Sequence, residues 1–147
     1  MASIAATGRI YQVLGGKKVL REPARHYGAL IDRVHAGLPY GALESVAERF
    51  EISRADLVRI LHVPPRTLAR RKRERTLHAD ESDRLLRLGR IAAMAEEILG
   101  TREKAAAWLR TPNEALGGLR PLDRLDTDIG ARQVEQILGR IAHGVYS

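Results

Sequence analysis

The 147-residue sequence contains no cysteine. That absence excludes disulfides, thiol catalysis and every cysteine-based metal site. Long apolar runs are missing too, since nothing approaches the roughly 18 consecutive apolar residues that a membrane-spanning helix needs. The opening residues, M-A-S-I-A-A-T-G-R-I, lack the charged-then-apolar layout of a secretory signal. A cytoplasmic protein without membrane contact is expected. Aromatic residues are few, one Phe, one Trp and four Tyr. None interleaves with the basic stretch described below, which argues against single-stranded RNA as a ligand.

Catalytic patterns are equally scarce. His26, His35, His62, His78 and His143 show no metal-ligand spacing, and no serine shares a local motif with a histidine and an acid. Glu96 and Glu97 are neighbours, so on a helix they point about 100° apart and cannot form a carboxylate pair on one face. The G-G-K-K at residues 15–18 lacks both the earlier glycine and the following Ser or Thr of a phosphate loop, and reads as a helix stop. The expectation is a binding protein with no catalytic residues, no metal and no cofactor.

What the chain does have is local basicity. The formal charge is +7, yet from Thr111 onward four arginines face five carboxylates. Between Arg66 and Arg75 stand Arg66, Arg70, Arg71, Lys72, Arg73 and Arg75, with Glu74 as the one acid. Clustering of this kind suits a polyanion-binding face better than a generally basic surface. The remaining composition, 44% hydrophobic and 29% charged, is that of a folded globular chain.

Periodicity and caps predict an all-α chain. A short helix over residues 9–14 ends at Gly15 and Gly16. Pro23 opens another with Tyr27, Leu30, Ile31 and Val34 at helical spacing, and a third over residues 40–50 buries Leu43, Val46, Ala47 and Phe50. Ser53 and Asp56 give a start signal of capping-box type, and Leu57, Ile60 and Leu61 supply the stripe. Val58, His62, Val63 and Leu68 then fall in the register of a helix-turn-helix. Val58 is bulkier than the usual alanine and His62 stands where glycine is usual, but histidine is enriched at positive φ. Pro65 suits the first position of the second helix. Arg66 and Thr67 would meet base edges, with Arg70, Arg71, Lys72 and Arg73 following along the groove. Neutralising roughly six phosphates would give a log-log salt slope of about −5. Modules of this size pair on two half-sites of duplex operator DNA, so a homodimer is expected.

Further on, Asp80 is expected to cap a helix of about twenty residues, ended by Gly100. Thr101 caps the next, which carries Trp108. Thr111, Pro112 and Glu114 read as a capping box, Gly117 and Gly118 stop that helix, and Pro121 opens a short turn. Asp126 or Thr127 caps a last helix with Val134, Ile137, Leu138 and Ile141 along one side. Trp108, Leu116, Leu125 and Val145 are many large apolar groups for so short a segment, which suggests a surface for another protein, although Trp108 also reads as core. The division falls at residues 1–92 and 93–147, a helix-turn-helix lobe followed by a small helical domain.

The string from Ala105 to Ser147, A-x-x-W-L-R-T-P-N-E-A-L-G-G-L-R-P-L-D-R-L-D-T-D-I-G-A-R-Q-V-E-Q-I-L-G-R-I-A-H-G-V-Y-S, resembles the toxin-binding domain of the Xre/MbcA/ParS antitoxin family. The upstream runs P-P-R-T-L-A-R-R-K-R and D-E-S-D-R-L-L-R-L resemble the Xre-type helix-turn-helix that precedes it. The resemblance covers about residues 40–147. It implies an antitoxin whose partner is a RES-domain toxin that consumes or uses NAD. The last helix and tail would obstruct the toxin's NAD pocket, and the helix-turn-helix would repress the shared operon. Carried over by position, Trp108, Asn113, Leu116, Gly117, Gly118 and Pro121 fall on the motif that shapes the domain, with the two glycines and the proline as scaffold. Gly130, Val134, Arg140, Gly144, Val145, Tyr146 and Ser147 fall on the last helix and tail. The alternative is a stand-alone helix-turn-helix repressor whose C-terminal part dimerises or senses a ligand.

Overall fold

The computed structural model describes residues 4–144. Among these the chain is all-α, as expected. The helices run α1 (Ile4–Val13), α2 (Gly16–Leu20), α3 (Tyr27–Ala36), α4 (Tyr40–Phe50), α5 (Arg54–Leu61), α6 (Pro65–Glu74), α7 (Ala79–Leu99), α8 (Arg102–Arg110) and α9 (Asp128–Ala142). Two 3₁₀ turns, Glu114–Leu116 and Pro121–Arg124, lie between α8 and α9. Strands are absent among the described residues, where isolated bridges pair Pro39 with Thr76 and Asn113 with Leu119.

The longest helix, α7, is the axis of the molecule. It packs against α1, α3, α4 and α5, which precede it, and against α8 and α9, which follow it. Its middle is buried nearly all round, by Leu88, Gly89, Ile91, Ala92, Ala93, Ala95 and Glu96. Small residues permit this because each lets a neighbouring helix approach closely. At Gly89 an added Cβ would press on Leu14, the residue just after α1. A single apolar cluster runs from Ile10 to Leu138 through both halves of the chain. The expected division at residues 92 and 93 falls inside α7, within that shared core.

Local signals place most boundaries. Ser53 Oγ accepts from Asp56 N at 3.1 Å, Thr101 Oγ1 from Lys104 N at 3.1 Å, and Thr127 Oγ1 from Gly130 N at 3.0 Å, so Thr127 caps α9. Elsewhere the expectation gives way. His78, not Asp80, is the residue before α7, and its N–H donates to Glu81 Oε1 at 2.9 Å. Thr111 closes α8 and donates back to Ala107 O at 2.5 Å, while Asn113 caps the 3₁₀ turn. A threonine hydroxyl can bond backward or forward, and here the backward bond to α8 prevails. Gly15 does stop α1, but Gly16 starts the short helix α2. On α3, Leu30 and Val34 are buried whereas Tyr27 and Ile31 are exposed.

Gly130 sits where α9 meets the preceding turn, and a Cβ there would collide with the Arg124 carbonyl oxygen. In an ordinary helix interior Gly→Ala stabilises. Here Gly130→Ala is expected to destabilise by about 1–3 kcal/mol through overpacking. Urea unfolding of the two proteins reads the sign directly.

Candidate functional site

Helix α5 ends in a left-handed residue. His62 has φ 58° and ψ 42°, its N–H bonds Arg59 O at 3.4 Å, and Val63 N bonds Val58 O at 3.2 Å. Those are the two bonds of a Schellman stop, with histidine in the glycine position. Pro64 is extended and Pro65 is the first residue of α6. Val63 and Leu68 are buried and fix α6 against the core. The predicted register of the helix-turn-helix is therefore what the backbone adopts.

The face that α6 turns outward carries Arg66, Arg70, Lys72 and Arg73, all exposed, with Thr67 half-buried. None of these four cations makes an ion pair among the described residues. Arg75, left-handed at φ 65°, extends the exposed basic run past the helix end. Uncompensated charge on a protruding helix is what phosphate neutralisation requires.

Arg71 does not belong to this face. It is 6% exposed and points inward, its Nε donating to Glu81 Oε1 at 2.7 Å and its Nη1 to Glu74 Oε1 at 3.1 Å. The expectation that Arg71 contacts DNA is corrected. Helical phase explains it, because residue 71 lies three positions beyond buried Leu68 and so shares the inner side. Burial pushes the Glu81 carboxyl upward, but the Arg71 guanidinium and the His78 N–H outweigh it and hold the group below the usual range. His78, Asp80 and Glu81 bring ligand atoms within 4.8 Å of one another, as a metal site would. Arg71 stands in that space instead, with Nη2 at 3.2 Å from His78 Nδ1, and its positive charge opposes a cation there.

A second constellation joins the two halves. Arg120 grips Asp56 of α5 with two bonds, Nη1 to Oδ2 at 3.1 Å and Nη2 to Oδ1 at 2.9 Å, while also donating to Asp123 at 2.6 Å. Arg59 reaches across to the Leu122 carbonyl at 2.9 Å, Arg87 donates to Leu125 O at 3.2 Å, and His62 Nε2 lies 2.5 Å from Asp126 O. Burial raises Asp56, yet hydrogen bonds from Arg120 and Arg59 bring it below the ordinary carboxylate range, and the Arg120 hydrogen bond does the same for Asp123. No pattern in the sequence announces this clamp, because Asp56, Arg59 and His62 stand 63 or 64 positions from Arg120, Leu122 and Asp126.

Comparison with known proteins agrees with this geometry. Residues 29–90 match the model of the antitoxin Xre-like helix-turn-helix domain, and residues 94–144 match that of the antitoxin Xre/MbcA/ParS C-terminal toxin-binding domain. An antitoxin Xre from Yersinia enterocolitica is 32% identical over 127 residues, covering 85% of this chain and 86% of the relative. The chain belongs to the Xre antitoxin family. An antitoxin Xre from Pseudomonas putida is 47% identical over 83 residues, 56% of this chain and 52% of that relative. A Prs ADP-ribosylating antitoxin from a Sphingobium species is 31% identical over 80 residues, 48% of this chain and 50% of the relative. As a Xre-type antitoxin the protein is a binding protein and not an enzyme. Its domains imply DNA and a toxin as partners, and no helix among the described residues is long and apolar enough to cross a membrane.

Within the toxin-binding domain the predicted residues separate. Leu116 and Val134 are buried, at 2% and 0% exposure, and so is Leu125. They shape the domain and are not surface contacts, because α7, α8, α9 and the 3₁₀ turns close around them without another protein. Trp108 is half-buried against the same core. Asn113 caps a turn through Oδ1, accepting from Ala115 N at 2.9 Å. Arg140 and Gly144 are exposed. Val145, Tyr146 and Ser147 lie outside the described residues. Sequence reasoning passed over Ile129, which is 79% exposed at the second position of α9. An isoleucine out of phase with the Val134–Leu138 stripe was the available signal.

Removing the buried cation separates structure from DNA contact. Arg71→Ala leaves Glu81 buried without its partner, an expected loss of about 3 kcal/mol and a drop in Tm of roughly 6–12 °C. Arg70→Ala is expected to leave Tm within about 1 °C, as exposed positions do. The Glu81 carboxyl is held below its unfolded value, so the pair stabilises above the unfolded pKa of about 4 and that contribution fades as pH falls through the folded one. The gap between wild type and Arg71→Ala should therefore be full at pH 7 and shrink below about pH 4. Thermal melts by circular dichroism across that range check both parts.

Proposed function

We propose that this antitoxin inhibits a RES-domain toxin by obstructing its NAD pocket and represses the operon that encodes both proteins. The carrying observation is the separation of two surfaces on one shared core, an unpaired basic face on α6 and the outer side of the toxin-binding domain. NAD enters through chemistry, since the name of the Sphingobium relative includes ADP-ribosylation, which takes its ADP-ribosyl group from NAD. The tail from Gly144 to Ser147 is the segment assigned to the pocket. The basic helix is assigned to duplex operator DNA, with Arg66 and Thr67 nearest the bases and Arg70, Lys72 and Arg73 on phosphates. Paired half-sites call for a homodimer, and action on a shared operon places the protein in the cytoplasm.

With Arg71 removed, Arg66, Arg70, Lys72, Arg73 and Arg75 remain of the basic run, so the log-log salt slope expected for promoter binding is about −4.5. Changing Arg70 and Lys72 together to alanine should cut promoter affinity at least about 30-fold, reduce that slope by about 2 and leave toxin neutralisation intact. Fluorescence anisotropy with a promoter duplex at several salt concentrations, beside a growth assay with the co-expressed toxin, reads both. Loss of both activities in a folded variant would overturn the two-surface division.

Deleting residues 144–147 should raise residual NAD turnover by the toxin while promoter affinity stays within about twofold, because the deleted segment adds no charge to the DNA face. Full inhibition by the truncated protein would show that the tail is not the plug.

A further inference from the structure

Helix α9 buries Ala131, Val134, Ile137 and Leu138 and turns its other side to solvent. Along that outer side Ile129, Gln133, Gln136 and Arg140 stand at intervals of four, three and four, so they form one continuous stripe. All four are exposed, and Ile129 is the most exposed of the large apolar side chains described, at 79%. A groove of about 510 Å³ runs beside the first three, and Arg124 from the preceding turn forms part of its wall.

The charge of this surface has one sign. Arg132 is held by Asp128 at 2.9 Å, which neutralises both. Arg124 and Arg140 have no ion pair among the described residues, and the Nε of Arg124 is buried without a hydrogen-bond partner. Packing holds the stem of Arg124 down, so its cationic head is positioned in advance, and no carboxylate among the described residues pairs with it. Two uncompensated cations thus flank an apolar anchor, on a segment whose charge from Thr111 onward is slightly negative overall. The basic face used for DNA is elsewhere, since the groove includes no residue of α5 or α6.

We infer that the toxin docks along this outer stripe of α9. The partner surface it fits offers an apolar socket for Ile129 and carboxylates opposite Arg124 and Arg140, with Gln133 and Gln136 bonding between them. The stripe runs along α9 toward its C-terminal end, at Arg140. The inference rests on the reading of the C-terminal domain as the toxin-binding part, and it adds which face, which residues and what complementary chemistry.

The test uses the full-length antitoxin and the toxin encoded beside it, with affinity measured by titration calorimetry. Ile129→Glu places a carboxylate in the first turn of α9, where the helix dipole favours it, so folding is preserved. Ile129→Glu and Arg140→Glu are each expected to weaken toxin binding at least tenfold while Tm and promoter binding stay unchanged. Ile31→Glu, at another exposed apolar position, on α3, is the control and should stay within twofold of wild type. Wild-type affinity should fall with rising salt. Should Ile129→Glu alter Tm, Ile129→Ala replaces it, with weakening of at least threefold expected. Binding within twofold of wild type for both the Ile129 and Arg140 variants overturns the docking face and leaves the antitoxin reading standing. No binding by the wild-type chain overturns the choice of this toxin as the partner, and the docking face with it.

Discussion

Both functional halves depend on the burial of one helix. The middle of α7 has almost no side left for water, because Gly89, Ala92, Ala93 and Ala95 admit neighbours closely while Leu85, Leu88 and Ile91 fill the gaps. Neither half completes its core without that helix. The consequence is mechanical. The basic helix α6 and the last helix are spaced by a packed rod and not by a linker, so their relative orientation is set by the same contacts that stabilise the fold.

Arginines supply the second constraint. Arg49 donates to both oxygens of Glu96 at 2.8 and 2.9 Å, and Arg9 adds a third bond at 3.1 Å, tying α4 and α1 to α7. Arg71 on Glu81 and Arg120 on Asp56 do the same at other junctions. These pairs are shielded enough that breaking one strands its partner, which is costlier than forming the pair is beneficial. Part of the basic composition is thereby internal to the architecture. Among the described residues the densest run of cations without an ion pair lies on and just past α6, at Arg66, Arg70, Lys72, Arg73 and Arg75.

Legibility in the sequence followed the range of the interaction. The helix-turn-helix could be placed residue by residue because its determinants are local: the Ser53 cap, the tolerance of His62 for positive φ, and proline at the start of α6. Family resemblance supplied the toxin-binding domain, and most caps fell where short spacing put them. The misreadings had physical causes. Arg71 was counted with its neighbours because charge is read along the chain, whereas the helix turns it to the opposite side. Leu116 and Leu125 counted as excess apolar surface because the core that receives them is assembled in three dimensions by helices separate from them in the chain. The Asp56–Arg120 clamp was invisible for the same reason, and Thr111 could have bonded in either direction.

The clamp bears on how the two surfaces relate. Arg59, His62 and Arg120 bind the first helix of the DNA-reading pair to the 120–126 segment, and that segment leads directly into α9 through the Thr127 cap. A tilt of α9 would have to carry the turn with it or break the two-bond contact to Asp56. With Asp56 mostly shielded and held below its usual pKa, breaking that contact leaves a carboxylate without its cation. Moving the turn with α9 moves His62, and with it the left-handed residue that sets the angle between α5 and α6. The two surfaces therefore differ in chemistry, one strongly cationic and one an apolar anchor between two arginines, yet they hang on one set of buried pairs. Independence of function in this fold rests on charge and position, not on mechanical separation.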